Sequence, residues 1–318
     1  MKVAWVLGSG GLLGAALCRS LRRERTELFF PAERFDWHVR NELCSQITTA
    51  VQAFACQINP SDRWEIYWAA GVGTMGSAQA ALAPETRALA LLLRLIETEP
   101  RLMAATGAVA FASSAGAIYA GSKDTVITEN TLPAPTTDYA REKLKQEDLI
   151  RAFVLANIRT TSLLARISTI YGPGQDPDKQ QGLLTHMARR VLQNQPIQIY
   201  VPFDTIRDYI AVDNAADEMV SVLGITSEKS GTLTKIIASE HPATIAEIIS
   251  TFKKIARRAP RIVTSASSLS ALYSRRVQFH SITLPERVRP QTTSLLVGIA
   301  QLIMAERSAF VRGPGNLC

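Results

Sequence analysis

Residues 3–7 are apolar throughout, and residues 12–21 follow them with a single apolar stripe. The first pattern predicts a strand buried on both faces, the second an amphipathic helix. The same two patterns recur down the first half of the chain. Strands are expected at 27–30, 64–69, 107–111 and 160–165, and helices at 41–57, 84–97 and 139–153. Pro84 is expected in the first turn of its helix, where a missing N–H is harmless, and Pro100 beyond the end. Such β-α-β alternation predicts an α/β fold, a doubly wound parallel sheet covered by helices on both faces.

After about residue 167 the rhythm changes. A turn at 171–174 and a polar loop at 175–181 precede a helix at 183–192, a strand at 197–200 and a loop at 201–207. Asp213 is expected to cap a helix reaching residue 223, followed by a strand at 233–238 and a helix at 245–257. The last sixty residues have weak periodicity. The pattern predicts a smaller C-terminal lobe that leaves a cleft against the sheet. In open α/β sheets a ligand sits beyond the carboxyl ends of the strands. There are no internal repeats and no low-complexity linker.

The junction of the first strand and helix reads Gly8-x-x-Gly11-x-x-Gly14. It departs from the plain G-x-G-x-x-G dinucleotide pattern, because Leu13 stands where the third glycine would be. The physics carries over. Gly8 can take backbone angles closed to other residues. Gly11 has no side chain to keep a pyrophosphate off the backbone, and Gly14 lets the helix lie close on the strand. The helix start at Leu12 and Leu13 then turns its N–H groups and positive end toward phosphate. This is a Rossmann-type arrangement.

The chain has 318 residues, nearly half of them apolar, enough for one large α/β domain with a smaller lobe. The net charge of +7 raises the question of nucleic acid. The basic residues come in scattered pairs without interleaved aromatics, for example Arg22 and Arg23, Arg189 and Arg190, or Lys253 and Lys254. No nucleic-acid motif accompanies them, so no nucleic-acid partner is expected. Cys18, Cys44, Cys56 and Cys318 form no C-x-x-C pair and histidines number four, so no metal site is expected. Reduced thiols in a cytoplasmic protein fit that usage. The start of the chain resembles a signal peptide only superficially, because its glycines and Leu17 do not make a cleavage site. No other stretch reaches the roughly 18 apolar residues that a membrane span needs.

Tyr139 and Lys143 stand four apart on an expected helix and share its face. A phenol with a pKa near 10 is a poor proton carrier at neutral pH, and a nearby ammonium favours its phenolate. Tyr139 is therefore a candidate general acid or base, and Lys143 a candidate donor to a ribose hydroxyl. Ser113 and Ser114 lie at the carboxyl end of the strand at 107–111, placed to hydrogen-bond a substrate oxygen.

Together these residues resemble the extended short-chain dehydrogenase/reductases of the NAD-dependent epimerase/dehydratase type that act on nucleotide sugars. Matching segments, in order, are the glycine turn, Ala69-Ala70-Gly71 after the family's fourth strand, Ser113-Ser114, Tyr139-x-x-x-Lys143, and Arg166 through Tyr171-Gly-Pro-Gly174. Arg207-Asp-Tyr-Ile-Ala-Val-Asp213 is similar to the family's arginine-aspartate-aromatic motif, and Thr128-Glu-Asn130 with Pro133 to the loop before its tyrosine. The likeness covers roughly residues 1–225.

The resemblance implies hydride exchange between a nicotinamide and a sugar carbon, with Tyr139 moving the hydroxyl proton and a serine assisting. It implies a cofactor-binding set of Gly8, Gly11, Leu12, Leu13, Gly14, Ala69, Ala70, Gly71, Tyr139 and Lys143, and a substrate-binding set of Ser114, Tyr171 and Arg207. It divides the chain into an NAD(P)-binding domain, 1–166 with 205–240 returning to it, and a substrate lobe, 167–204 with 241–318. Counting from Tyr119 puts the catalytic hydroxyl position at Ala115, and counting from the serine pair puts it at Ser114. We take Ser114, with Ser113 in reserve. The 4,6-dehydratases carry Asp-Glu just after that hydroxyl. Here Gly116-Ala117 follows, which disfavours elimination and leaves a 4-epimerase or a ketosugar reductase. The epimerising cysteine of the GDP-fucose synthase type is missing, and His186 is out of register and reads as a helix-surface residue. Glu33 argues for NAD and Arg34 for NADP. The alternatives are an idle NAD(P)-sensing protein or a reductase of another carbonyl compound. A homodimer is expected, because Leu89, Leu91, Leu92, Leu93 and Leu95 ring one helix.

Overall fold

The computed structural model describes residues 1–37, 39–175, 182–226, 231–257, 259–264, 277–285 and 292–312. Most of the polar loop expected at 175–181, together with Cys318, lies outside them. The first half builds β1 (Lys2–Leu7), α1 (Leu12–Arg23), β2 (Glu27–Phe29), α2 (Arg40–Cys56), β3 (Arg63–Trp68), α3 (Gln79–Thr98), α4 (Pro100–Ala104), β4 (Thr106–Ser114), α5 (Ala115–Ile118), α6 (Asp138–Ala156) and β5 (Thr160–Ile167). Then come β6 (Thr169–Tyr171), α7 (Leu183–Leu192), β7 (Ile197–Ile199), β8 (Ile206–Arg207), β9 (Tyr209–Ala211), α8 (Val212–Thr226), β10 (Gly231–Ile237), β11 (Ala243–Thr244), α9 (Ile245–Ala256), β12 (Ile262–Thr264) and α10 (Leu295–Arg312).

Six strands form one parallel sheet in the order β10-β5-β4-β3-β1-β2. All eight residues of β5 are buried, as a strand covered on both faces requires. One face packs Trp5, Trp64 and Phe111 against α2, α3 and α6, and the other packs Ala4, Tyr67 and Leu163 against α1 and α8. The neighbours of β1 are β2 on one side and β3 on the other, so the strand order reverses there. The crevice at that reversal is where an open α/β sheet takes its ligand.

The segment at 64–69 is the third strand of this chain, where the resemblance gave it as the fourth. No strand forms between β2 and α2 among the described residues, where Phe35 and Trp37 instead pack onto Trp5 and Trp68. Pro84 lies inside α3, five residues past its start, because the backbone N–H of Gln79 is capped by Asp138 from α6. Asp213 falls in the first turn of α8, after Val212, and pairs with Arg19 at 2.6 Å. The 18-residue α10 was not expected from the weak periodicity of the tail.

The segment 205–240 contributes β10 to the sheet and α8 to its face, while α7, α9 and α10 close a separate core around Tyr171, Met187 and Phe252. On that basis we propose the lobe division given above. Of the two-stranded pairs, β7 with β12 lies within the lobe, while β8 with β11 and β6 with β9 join it to the returning segment. No helix among the described residues is long and apolar enough to cross a membrane.

The leucines of α3 are mostly satisfied within one chain. Leu89, Leu92 and Leu93 are buried in the core, and Leu91 and Leu95 pack at its edge. A homodimer is retained as a proposal with a simple test. Light scattering at micromolar concentration should give twice the 34.7 kDa of one chain, and a mass of 34.7 kDa would refute it.

Candidate active site

The glycine turn is built by backbone contact. Gly8 has φ +87°, and a Cβ there would lie 2.7 Å from the Ala70 nitrogen and 2.8 Å from Ala69. A Cβ on Gly14 would lie 2.0 Å from the Gly8 carbonyl oxygen. The turn, α1 and the end of β3 therefore touch with no room for side chains. The N–H of Gly11 donates to the Gly8 carbonyl at 2.9 Å, and α1 starts from Gly11 with no side chain capping it. An anion can approach such a helix start. This bare backbone cradle fits the pyrophosphate of a dinucleotide.

Glu33 and Arg34 are exposed in the loop after β2. Between strand and loop stands Phe30, 50% exposed, with the Arg22 guanidinium 5.8 Å from its ring centre.

Across the crevice, α6 presents Tyr139, Lys143 and Glu147 on one face. Thr137 caps the helix by accepting from the Ala140 N–H at 3.2 Å, which fixes the register of that face. Tyr139 is half-buried, and its ring packs beside Gly73, where a Cβ would lie 3.2 Å from it. The Lys143 ammonium lies 5.8 Å from the Tyr139 ring centre and 5.0 Å from that of Phe111. Lys143 is only 6% exposed and donates to Glu85 at 2.9 Å. Burial pushes the Lys143 ammonium down, but Tyr139 and Glu85 outweigh it and hold it above the ordinary lysine value.

The two serines have different surroundings. Ser113 is buried, and its hydroxyl donates to Glu147 at 2.7 Å. Glu147 also accepts from Arg166 through two bonds of 2.6 and 3.0 Å, and Arg166 donates to the Tyr119 hydroxyl at 2.5 Å. Burial works against the Arg166 charge, and Glu147 more than offsets it, so its pKa is raised. The Ser114 hydroxyl, at the carboxyl end of β4, has no hydrogen-bond partner among the described residues. A Cβ on Gly116, two residues on, would meet nothing within 4 Å.

The remaining candidates lie apart from this cluster. Arg207 sits on β8, paired with β11, and donates to the Ile206 carbonyl at 2.9 Å. Its neighbour Asp208 is buried and accepts from Ser168 and Ser239. Tyr171 is 2% exposed beneath α10, where a Cβ on Gly298 would strike its hydroxyl. That hydroxyl has no hydrogen-bond partner among the described residues, and burial pushes it up to about 12. Such a position belongs to the lobe core and does not present Tyr171 to a substrate. His186 is exposed on α7, as its register indicated. Glu129 is structural, since it accepts from the N–H groups of Ile236 and Ile282, both at 2.8 Å.

The pattern at residues 4–233 matches the model of the NAD dependent epimerase/dehydratase family. The chain belongs to that family. Curated members similar to it include the dTDP-L-rhamnose 4-epimerase of Burkholderia thailandensis, 33% identical over 96 residues, 30% of this chain and 26% of that one. Another is the dTDP-4-dehydro-6-deoxyglucose reductase of Escherichia coli, 30% identical over 138 residues, 41% of this chain and 43% of that one. The alignments thus span from a quarter to under half of those relatives. Among solved structures, the UDP-glucose 4-epimerase of Bifidobacterium longum, in complex with NAD+ and UDP, has the same fold. It superposes with a TM-score of 0.80 at 18% identity, covering 98% of this chain and 100% of that one.

Two residues of this family member's cluster went unread in the sequence, Glu85 and Glu147. Glu147 had a signal, since it continues the spacing of Tyr139 and Lys143 by another four residues. Glu85 had none, because it approaches Lys143 from another helix.

Proposed function

We propose that this protein is an NAD(P)-dependent oxidoreductase or epimerase of a nucleotide-activated sugar, with Tyr139 as its general acid/base. The observation that carries the reading is the Tyr139–Lys143 face of α6, set beside the loop after β3 that the glycine turn touches. When bound, the nicotinamide cofactor supplies or accepts the hydride. Gly8, Gly11, Leu12, Leu13 and Gly14 hold its pyrophosphate, and Ala69, Ala70 and Gly71 floor the crevice. Glu33 or Arg34 reads its adenosine ribose, the first favouring NAD and the second NADP.

Tyr139 gives or takes the proton of the sugar hydroxyl. Lys143 stabilises the phenolate and holds the nicotinamide ribose. Ser114 donates to the sugar oxygen, a role for which its unpartnered hydroxyl suits it better than Ser113. Arg207 takes the nucleotide diphosphate, since a guanidinium fork matches phosphate. Gly116 and Ala117 supply no acid or base for eliminating water, which favours epimerisation or ketone reduction over 4,6-dehydration. The similar relatives are named as an epimerase, a reductase and 4,6-dehydratases, which supports a nucleotide-sugar substrate without favouring one of these reactions.

The test is titration with NADH and NADPH, with and without a panel of nucleotide sugars. Turnover of at least one is expected. Ser114→Ala should lower kcat by about 10²-fold, the worth of one donor to a developing oxyanion. Ser113→Ala should instead lower stability by about 1 kcal/mol, because it loses a buried hydrogen bond to Glu147. Cofactor binding with no turnover of any sugar or simple ketone would mark an NAD(P) sensor.

A further inference from the structure

The mechanism above gives no role to Glu85, a largely covered carboxylate that lies inside the site. Glu85 comes from α3, fifty-eight residues away in sequence from Lys143. The side chains of the pair are 10% and 8% exposed, and the N–O distance is 2.9 Å. Gln146 donates to the same Glu85 oxygen at 3.3 Å and to Thr86 at 3.0 Å, which orients the carboxylate. On its other side the carboxylate fills the space that a side chain at position 71 would need. Gly71 has φ +149°, and a Cβ there would lie 2.7–2.9 Å from the carboxylate atoms of Glu85. The loop leaving β3 is therefore moulded around Glu85.

We propose that Glu85 is a positioning residue, the counter-ion that holds Lys143 charged and in place for the dinucleotide. The proposal rests on the reading of Lys143 as a cofactor-binding residue. An ammonium buried beneath the Phe111 ring loses most of its hydration, and a buried charge needs a partner to remain ionised. Among the described residues, the charged and titratable groups around it are few. Glu85 faces it from α3, and Tyr139 and Glu147 flank it on α6. β4 contributes the Phe111 ring, and Ser113, which is tied to Glu147. Glu147 is also bound by Arg166 from β5 and by Arg151, so most of its charge is spent there. Among the described residues, the cation that donates to Glu85 is Lys143.

The direction of the effect follows. Without the Glu85 charge, burial is opposed by less, and Lys143 loses its proton at lower pH. The protonated form is the stronger donor to a ribose hydroxyl. Dinucleotide affinity should then fall off at lower pH, moving the alkaline loss of binding toward neutrality.

The experiment uses the full chain labelled with ¹³C-lysine. The Lys143 signal is assigned by its disappearance in Lys143→Met. Lys143 titration and the Kd of NADH and NADPH are followed against pH in the unaltered protein, Glu85→Gln and Glu85→Asp. Glu85→Gln keeps the volume beside Gly71 and removes only the charge. Lys143 should titrate about 1–3 units lower in Glu85→Gln. The alkaline weakening of Kd should shift with it, while Glu85→Asp moves both in the same direction by less. Glu85→Asp also decides the matter if the glutamine variant does not fold. Identical Lys143 titration in the folded variants, or Kd profiles that do not move, would overturn the proposal. So would failure to bind either dinucleotide at any pH, which would remove the cofactor reading as well. Shifted titration and Kd without turnover of any sugar would leave Glu85 in this role and discard the proposed reaction alone.

Discussion

Tyr139→Phe should lower kcat by about 10²- to 10⁴-fold, the usual worth of a positioned acid or base. The fold should survive, because the ring that packs beside Gly73 remains. Dinucleotide affinity should change little, since the glycine turn and Lys143 are untouched. The loss should fall on kcat more than on KM, because the proton moves only on the way to the transition state. Lys143→Met should behave differently. It removes a cation 5.8 Å from the phenol ring and the proposed donor to the ribose, so turnover should fall and dinucleotide binding should weaken. It also strands the Glu85 carboxylate without its ion pair. If both residues were ordinary helix positions, both substitutions would be nearly silent in turnover. Unchanged kcat in Tyr139→Phe would remove the catalytic assignment.

Glu147→Gln should destabilise the protein by about 3–5 kcal/mol, the typical result of removing one partner from a buried ion pair. Glu147 is 1% exposed and receives two bonds from Arg166, which is itself 5% exposed. The substitution leaves a guanidinium inside the protein without its counter-charge, and Ser113 without its charged acceptor. Urea unfolding reports it as a lower midpoint at unchanged slope. Glu24→Gln is the control. Its pair with Lys2 is on the surface, with side chains 43% and 30% exposed, so its loss should cost under about 1 kcal/mol. A change no larger in Glu147→Gln than in the control would mean that water reaches the Arg166 pair.

The assignment of strands and helices in the first half was legible because local periodicity reports burial. The strand expected at 160–165 forms as β5, although the burial of Thr160, Thr161, Ser162 and Arg166 is marked by no apolar pattern. α7 occupies the expected residues 183–192. Where tertiary contacts set a boundary, the pattern failed. α3 begins before Pro84 because Asp138 of α6 caps it, and α10 is held by packing in the lobe core, with Ile299 and Leu302 fully buried. Tyr171 sat in a motif that implied substrate contact, yet a small residue at position 298 lets α10 close over it. The choice of Ser114 over Ser113 rested on counting from the serine pair, and the sequence carried nothing about their different surroundings. Only the position of Glu147, on another element, tells which hydroxyl is engaged.

The sequence by itself determined the alternating layers, the glycine turn after β1, and the shared face of Tyr139 and Lys143. Each of these depends on spacing within one element or one turn, where backbone geometry is the whole constraint. The tertiary structure alone decided the pairing of Glu85 with Lys143, the engagement of Ser113 by Glu147 and Arg166, and the burial of Tyr171. These are contacts between elements far apart in the chain. Their energetics depend on how much water each group loses, and no local pattern of residues carries that quantity.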